Sequence, residues 1–360
     1  MLSIIIPTYN EKESIINTIN QIKSNIKGIR HEIIVVDDNS PDKTWKKVSD
    51  AKISNVRCIR RTKEKGLSSA VIHGFRNAKY SNLLLIDADG QHNPEIIKEM
   101  LNLMPKNDFV IGSRFIKGGS VDDWQKPRIL ISKAAACLAK PLLSSKITDP
   151  MSGFFMTKKA IFNQIQEQLS GKGYKILLDI IVAYEIKNKI LGNKQRVKIK
   201  EVPYTFKKRK KGESKLGFKV ISDYLFMLAF LGFKKYSSLV KFLIVGLTGL
   251  ILNTLLLWLL TEKVGIFYVL SGIIATETAI ISNFILNNYW TWKKGNKTYS
   301  FIKRLLLYNS VSIIGLLITV SILWLLTELG IYYLLSNIIG IVIATAWNFL
   351  ANDRITFKIK

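Results

Sequence analysis

The spacing of apolar positions changes near Lys241. Before it, short apolar runs alternate with amphipathic stretches; after it, apolar residues run almost unbroken. Residues 242–261, 305–327 and 329–352 hold no charge, and 264–292 hold only Glu277. A helix rises about 1.5 Å per residue, so roughly 20 apolar residues cross a ~30 Å hydrocarbon core. The pattern predicts four spans, at about 242–261, 266–290, 305–327 and 330–351. A soluble helix of this length would carry a charged face. In the first half, apolar runs at 2–6, 31–37, 56–60, 83–87 and 109–112 read as strands. Helical stretches separate them, from about Glu11, from Asp42–Lys43, over 67–79 and from Pro94. That alternation predicts an α/β domain with a mostly parallel sheet covered on both faces.

The apolar half repeats itself. WLLTE at 258–262 returns at 324–328, Asn283-Phe284 returns as Asn348-Phe349, and Thr291-Trp292 as Thr356-Phe357. Each copy holds two spans, so the copies share one orientation and form a parallel repeat. Lys293, Lys294, Lys297, Lys303 and Arg304 lie between spans two and three. Lys234, Lys235 and Lys241 precede the first span, and Arg354, Lys358 and Lys360 follow the last. The positive-inside rule puts this link and both termini in the cytoplasm. The apolar run at 2–6 stops at Pro7, too short for a secretory signal. Glu277 needs a partner inside its span, and Asn253, Asn283 and Asn309 are the candidates.

Charge changes the picture in one respect. Lys and Arg total 53 against 26 Asp and Glu, a net charge of +27, and residues 207–211 (KKRKK) concentrate it. Beside membrane spans such a run suits anionic lipid heads, whereas nucleic acid would want more stacking rings than Tyr204 and Phe206. With 48% apolar residues the chain is not a disordered one, and two cysteines make no disulfide scaffold. No Walker loop, G-x-G-x-x-G, H-E-x-x-H or C-x-x-C is present, which removes support for P-loop, dinucleotide and zinc chemistry.

Polar clusters fall where strands end: PTYNE at 7–11, DDNS at 37–40 and DADGQ at 87–91. Ligands of parallel sheets sit at those carboxyl ends. Alternate residues of an extended segment face one way, so Asp87, Asp89 and Gln91 are expected to converge. Oxygen donors of this kind suit Mg²⁺ or Mn²⁺. Of the three histidines, only His92 is near this loop. The stretch 128–142 predicts an amphipathic helix with Ile129, Leu130, Ala134, Leu138 and Leu142 toward lipid.

Residues 1–235 resemble family 2 glycosyltransferases of the GT-A fold, specifically dolichyl-phosphate mannose synthases. The resemblance rests on IIPTYNE (5–11), VVDDNSPD (35–42), RRTKEKGLSSAVIHGF (60–75), DADGQH (87–92), IGSRFIKGG (111–119), DPMSGFF (149–155) and KGESKL (211–216). The C-terminal part resembles the GtrA-like four-span domain. The implied organisation is a cytosolic GT-A domain over 1–215, juxtamembrane interfacial helices over 216–237 and a transmembrane domain over 238–360. The implied reaction is inverting transfer of mannose from GDP-mannose to dolichyl or another polyprenyl phosphate at the cytosolic face of the cell membrane. The rivals are transfer of glucose from UDP-glucose, or a non-catalytic lipid-linked-sugar transporter. By resemblance, Pro7, Tyr9, Glu11, Val35 and Asp37 hold the guanosine, and Asp87 and Ala88 line the nucleotide sugar. Asp89 and Gln91 hold the metal, and Arg114, Arg128 and Ser132 grip the lipid phosphate. Arg209 and Lys215 close over the donor. Asp89, Arg114 and Arg128 are the residues expected to carry catalysis. Gly90 departs from the family's usual leucine, and the absent Q-x-x-R-W speaks against repeated chain elongation.

Overall fold

The computed structural model describes residues 1–122, 124–171, 173, 175–193, 195–208, 218–293 and 297–358. They form two compact units, divided near Gly232–Phe233.

The first unit is built on strands β1 (Leu2–Thr8), β2 (His31–Asp37), β3 (Val56–Arg60), β4 (Asn82–Leu85), β5 (Phe109–Ser113), β6 (Ser120–Val121), β7 (Phe155–Lys158), β8 (Ile199–Pro203) and β9 (Thr205–Phe206). Seven of them make one sheet in the order β3-β2-β1-β4-β7-β5-β8, while β6 and β9 pair separately. All neighbours in the large sheet are parallel except β7, which runs antiparallel to β4 and β5. The helices are α1 (Ile15–Asn25), α2 (Thr44–Asp50), α3 (Leu67–Arg76), α4 (Ile97–Leu103), α5 (Lys126–Ala139), α6 (Lys159–Ile165), α7 (Ile176–Ile190) and α8 (Phe218–Lys235).

Strand alternation divides the core into two layers. Ile5, Ile34, Val36, Leu85, Phe109 and Phe155 pack under α3, α6 and α7. Ile4, Ile33, Val35, Leu84, Val110 and Met156 pack under α1, α2 and α4. β1 runs two residues beyond its expected end, through Pro7. The tolerance has a local cause. β1 bonds toward β4 at Ile5, whose carbonyl accepts from Ile86, and β4 ends at Leu85. Pro7 has the same parity, so its missing N–H falls where no neighbouring strand remains. β4 also stops before Asp87, which therefore stands on the loop rather than at the strand's end.

The expected lipid-facing stripe on α5 needs correction. Leu130, Ala134 and Leu138 are exposed, as is the unforeseen Ile131, but Leu142 is buried and Ile129 half-buried. α5 ends at Ala139, and a tight turn at Lys140–Leu142 swings Leu142 inward, onto Leu178, Val182 and Leu231. α8 contributes Met227 and Leu231 to that cluster and leaves Phe226, Phe230 and Phe233 exposed.

The second unit holds α9 (Ser237–Trp258), α10 (Tyr268–Leu286), α11 (Phe301–Glu328) and α12 (Tyr333–Ala351). With the wider helical turns that extend three of them, these are four helices long and apolar enough to cross a membrane: Ser237–Lys263, Tyr268–Thr291, Phe301–Glu328 and Tyr333–Thr356. The repeat in sequence is a repeat in packing. A Cβ at Gly249 of α9 would strike Asn283 of α10, and one at Gly315 of α11 would strike Asn348 of α12. Of the three asparagines considered for Glu277, the partner is Asn309, whose Nδ2 donates to Glu277 Oε1 at 2.6 Å.

Candidate functional site

The polar groups gather at the carboxyl ends of β1, β2, β4 and β5. Asp37 closes β2 fully buried. It accepts from Ser40 N–H at 2.8 Å, Ser40 Oγ at 2.6 Å and Thr8 Oγ1 at 2.9 Å, so its carboxylate fixes the turn after β2 and ties it to the end of β1. Val35 does not reach this turn. Its side chain is fully buried under α1 and α2, two residues back along the strand and on the layer opposite Val36. Pro7 is buried, Glu11 half-buried with its carboxylate accepting from Ser14 at 2.8 Å, and Tyr9 exposed.

Asp38, which sequence reasoning passed over, organises the loop beside Tyr9. It accepts from Arg61 Nε at 2.7 Å and from Gly66 N–H at 2.7 Å, and Arg61 itself donates to the Gly66 carbonyl at 3.0 Å. This buried clamp holds Lys65 with its ammonium 5.8 Å from the Tyr9 ring centre. The available signal was the doubled aspartate after β2, of which only the first was singled out.

The acidic loop is held from both sides. Ala88 is buried, and its carbonyl accepts from Thr18 Oγ1 at 3.0 Å. Asp87 is partly exposed, and its Oδ2 lies 3.1 Å from His92 Nε2. The other ring nitrogen of the buried His92 lies 2.8 Å from the Tyr204 hydroxyl. An ionised carboxylate can only accept, so Nε2 carries the proton and Nδ1 accepts from Tyr204. Burial, first of all, lifts the Tyr204 phenol well above its usual value, which keeps it a donor. Gly153 packs against this carboxylate: a Cβ there would come within 2.6 Å of Asp87 Oδ2.

Asp89 Oδ1 accepts the Gln91 N–H at 3.1 Å, and Gln91 Nε2 donates to the Lys207 carbonyl at 2.9 Å. That bond leaves Gln91 Oε1 as the remaining side-chain acceptor beside the Asp89 carboxylate. Both are hard oxygen donors of the type Mg²⁺ and Mn²⁺ take. Among the described residues no group of three or more His, Cys, Asp or Glu could hold a metal ion. A cation on Asp89 and Gln91 would therefore complete its shell with water and ligand phosphate, an arrangement that suits Mg²⁺. The residues fit the ion.

The two arginines differ. Arg114 is largely covered, its side chain 10% exposed, with Nε and Nη2 donating to the carboxylate of Asp149 at 2.7 and 2.8 Å. Burial opposes its charge, but the bonds and charge of Asp149 outweigh that and hold the guanidinium above its usual value. Arg128, at the start of α5, stacks over Trp124 at 4.4 Å, and Arg114 faces the same ring at 5.4 Å. The buried Arg128 Nε has no hydrogen-bond partner among the described residues. Burial and then the nearby Arg114 depress the Arg128 pKa. An unmet guanidinium donor beside a second cation is a place for an anion. Ser132 follows one turn along α5, half-buried. Trp124 and Lys175 were both missed. Lys175, just before α7, is held below the usual lysine value by burial and then by Arg114, while Asp87 and Asp149 pull the other way. Arg209 and Lys215 lie outside the described residues.

Comparison with known proteins identifies the family. The family model for glycosyl transferase family 2 matches residues 3–166, and that for the GtrA/DPMS transmembrane domain matches 241–357. A dolichol-phosphate mannosyltransferase of Pyrococcus furiosus is 39% identical over 364 residues, covering 99% of each chain. The chain belongs to the dolichol-phosphate mannosyltransferase family. It is a membrane glycosyltransferase with a GT-A-like α/β domain and four apolar helices. An undecaprenyl-phosphate mannosyltransferase of Micrococcus luteus is 33% identical over 225 residues, 61% of this chain and 88% of its own. Among solved structures, glucosyl-3-phosphoglycerate synthase from Mycobacterium tuberculosis is 16% identical with a TM-score of 0.48, over 65% of this chain and 79% of that one.

Proposed function

We propose that this member of the family transfers mannose from GDP-mannose to dolichyl or another polyprenyl phosphate, with inversion, at the cytosolic face of the cell membrane. The observation that carries the reading is the unmet, buried Arg128 Nε beside Arg114 and Trp124, next to the acidic loop. It is an anion site adjoining a diphosphate site.

The chemistry follows from the charges. A phosphate monoester has a second pKa near about 6, so at neutral pH it is mostly dianionic and needs no general base. Its oxygen attacks the anomeric carbon from the face opposite the leaving GDP; one C–O bond forms as the other breaks. Arg128 and Ser132 hold the acceptor phosphate, and Arg114 adds charge from its fixed seat on Asp149. Asp87 orients the sugar nucleotide, held in turn by His92. Tyr9, Glu11 and Asp37 frame the nucleoside, and Arg209 and Lys215 close over its phosphates. Mg²⁺ or Mn²⁺ on Asp89 and Gln91 would neutralise the leaving diphosphate. The exposed Leu130, Ile131 and Leu138 would rest α5 in the lipid interface, and the lysines flanking the spans favour a cytoplasmic catalytic half.

The test offers radiolabelled GDP-mannose and UDP-glucose, with short polyprenyl phosphates, to the full chain in vesicles with and without Mn²⁺. A mannolipid formed from GDP-mannose, sensitive to mild acid, is expected. A glucolipid, or no lipid product from any donor, would refute the assignment.

A further inference from the structure

Glu277 on α10 and Asn309 on α11 meet across the two repeats, on the outer surface of the helical unit. Exposed Thr276 and Ser310 flank them. Apolar Ile273, Leu306 and Ile313 surround the four, all exposed. Glu277 stands near the middle of the span Tyr268–Thr291, away from either headgroup layer.

The fold does not require polarity at this place. The repeats make equivalent crossings: Phe242 of α9 meets Phe349 of α12 at 5.6 Å, as Tyr308 of α11 meets Phe284 of α10 at 5.7 Å. In the same correspondence, Thr276, Glu277, Asn309 and Ser310 match Ile341, Val342, Leu243 and Ile244. Those four are exposed, as are Thr276, Glu277 and Ser310. One outer face is polar at its centre and its counterpart is wholly apolar, so packing within the unit explains neither the glutamate nor the asparagine.

No water satisfies a polar group facing hydrocarbon. The pair uses one amide N–H and one carboxyl oxygen. Among the described residues, Glu277 Oε2 and the second N–H of Asn309 have no further bond. These leftover groups are complementary to each other, an acceptor and a donor on one surface. A two-fold axis along the bilayer normal brings each over its counterpart in another copy. We infer that this face docks a second copy of the chain within the bilayer, α10 and α11 of one copy against α10 and α11 of the other, with each Asn309 donating to the other copy's Glu277. Interhelical hydrogen bonds of this kind stabilise helix association in membranes.

The full chain, labelled at its C-terminus with donor or acceptor fluorophores, is reconstituted in phosphatidylcholine vesicles, and energy transfer is followed against protein-to-lipid ratio. Glu277→Val with Asn309→Leu, the residues of the equivalent face, is expected to weaken association about tenfold. Ser310→Ile, which spares the pair but wedges the surface, should weaken it as well. Val342→Ala should leave it unchanged. Helix content and unfolding midpoint confirm that each variant folds. A wild-type chain that stays monomeric at every ratio overturns the inference, and so does association indifferent to the double substitution. A monomer whose polyprenyl-phosphate binding responds to that substitution instead would assign the face to a lipid head.

Discussion

Arg114 Nε lies 2.7 Å from Asp149 Oδ2, and the two residues are joined at both ends of the guanidinium fork. Asp149 is fully buried. Its role is to seat a cation at the site, and removing it strands a buried charge. Asp149→Asn is expected to cost about 3–5 kcal/mol of stability. Denaturant unfolding of the detergent-solubilised chain measures it; a midpoint within error of wild type would show the pair to be dispensable.

His92 acts through Asp87. With its Nδ1 taken by Tyr204 and its Nε2–H aimed at the carboxylate, it sets the orientation of the acid proposed above to bind the donor. Comparable supporting residues cost roughly 10–100-fold when removed. His92→Phe should lower kcat/KM for the donor by that order and leave the KM of the polyprenyl phosphate unchanged. Tyr204→Phe, which removes only the hydroxyl, should show a smaller loss of the same kind. An effect on the acceptor alone would contradict this arrangement.

In the proposed reaction, Arg128 and Asp89 test the acceptor half and the donor half separately. Arg128→Ala should raise the acceptor KM, because its unmet Nε is the open donor, with the donor KM unmoved. Asp89→Ala should lower turnover by about 10²–10³, or roughly 2–4 kcal/mol, at saturating Mn²⁺. Normal turnover of the Asp89 variant would remove the cation from this loop.

The sheet and the spans were legible because burial on two faces and immersion in lipid both leave continuous apolar runs, as at 31–37 and 242–261. β7 was not. The segment Phe155–Lys158 is four residues long and enters antiparallel, and no periodicity announces direction. Asp87, Asp89, Arg114 and Arg128 stood out by charge beside a strand or helix. What they do depends on partners far along the chain: Asp149 is 35 residues from Arg114, and Tyr204 is 112 from His92. The layer that Val35 enters was not legible either. A step of one residue along a strand exchanges the two faces, and only the packed structure says which face is the core of which layer.

The two cysteines should report on burial and on the interfacial helix. Cys58 lies half-buried in β3, where burial and then the charge of Asp37 push its thiol up to about 12. A thiol raised in the fold favours the protonated form, so its contribution to stability is intact below about 9 and lost as pH climbs toward 12. At pH 8 Cys58 should resist iodoacetamide in the folded chain. Cys137 is exposed on α5. It should label readily in detergent solution, where the two sites are compared, and be protected when lipid vesicles cover the helix. Mass spectrometry after brief labelling distinguishes the sites; equal labelling of both cysteines would contradict the burial of Cys58.

Gly249 and Gly246 give the membrane unit an internal control. Both are on α9, one turn apart. A Cβ at Gly249 would overlap the Asn283 side chain, whereas nothing lies within 4 Å of one at Gly246. Gly315 and Asn348 repeat the first relationship in the other copy. Close approach of the helices is therefore fixed at two glycines, each facing an asparagine side chain. Gly249→Val and Gly315→Val should each destabilise the unit by about 1–3 kcal/mol through overpacking. Gly246→Val should be neutral, since it adds apolar surface toward open space. Unfolding in mixed micelles reads all three. A Gly246 variant as unstable as the Gly249 variant would mean that the asparagine contact is not what selects glycine at 249.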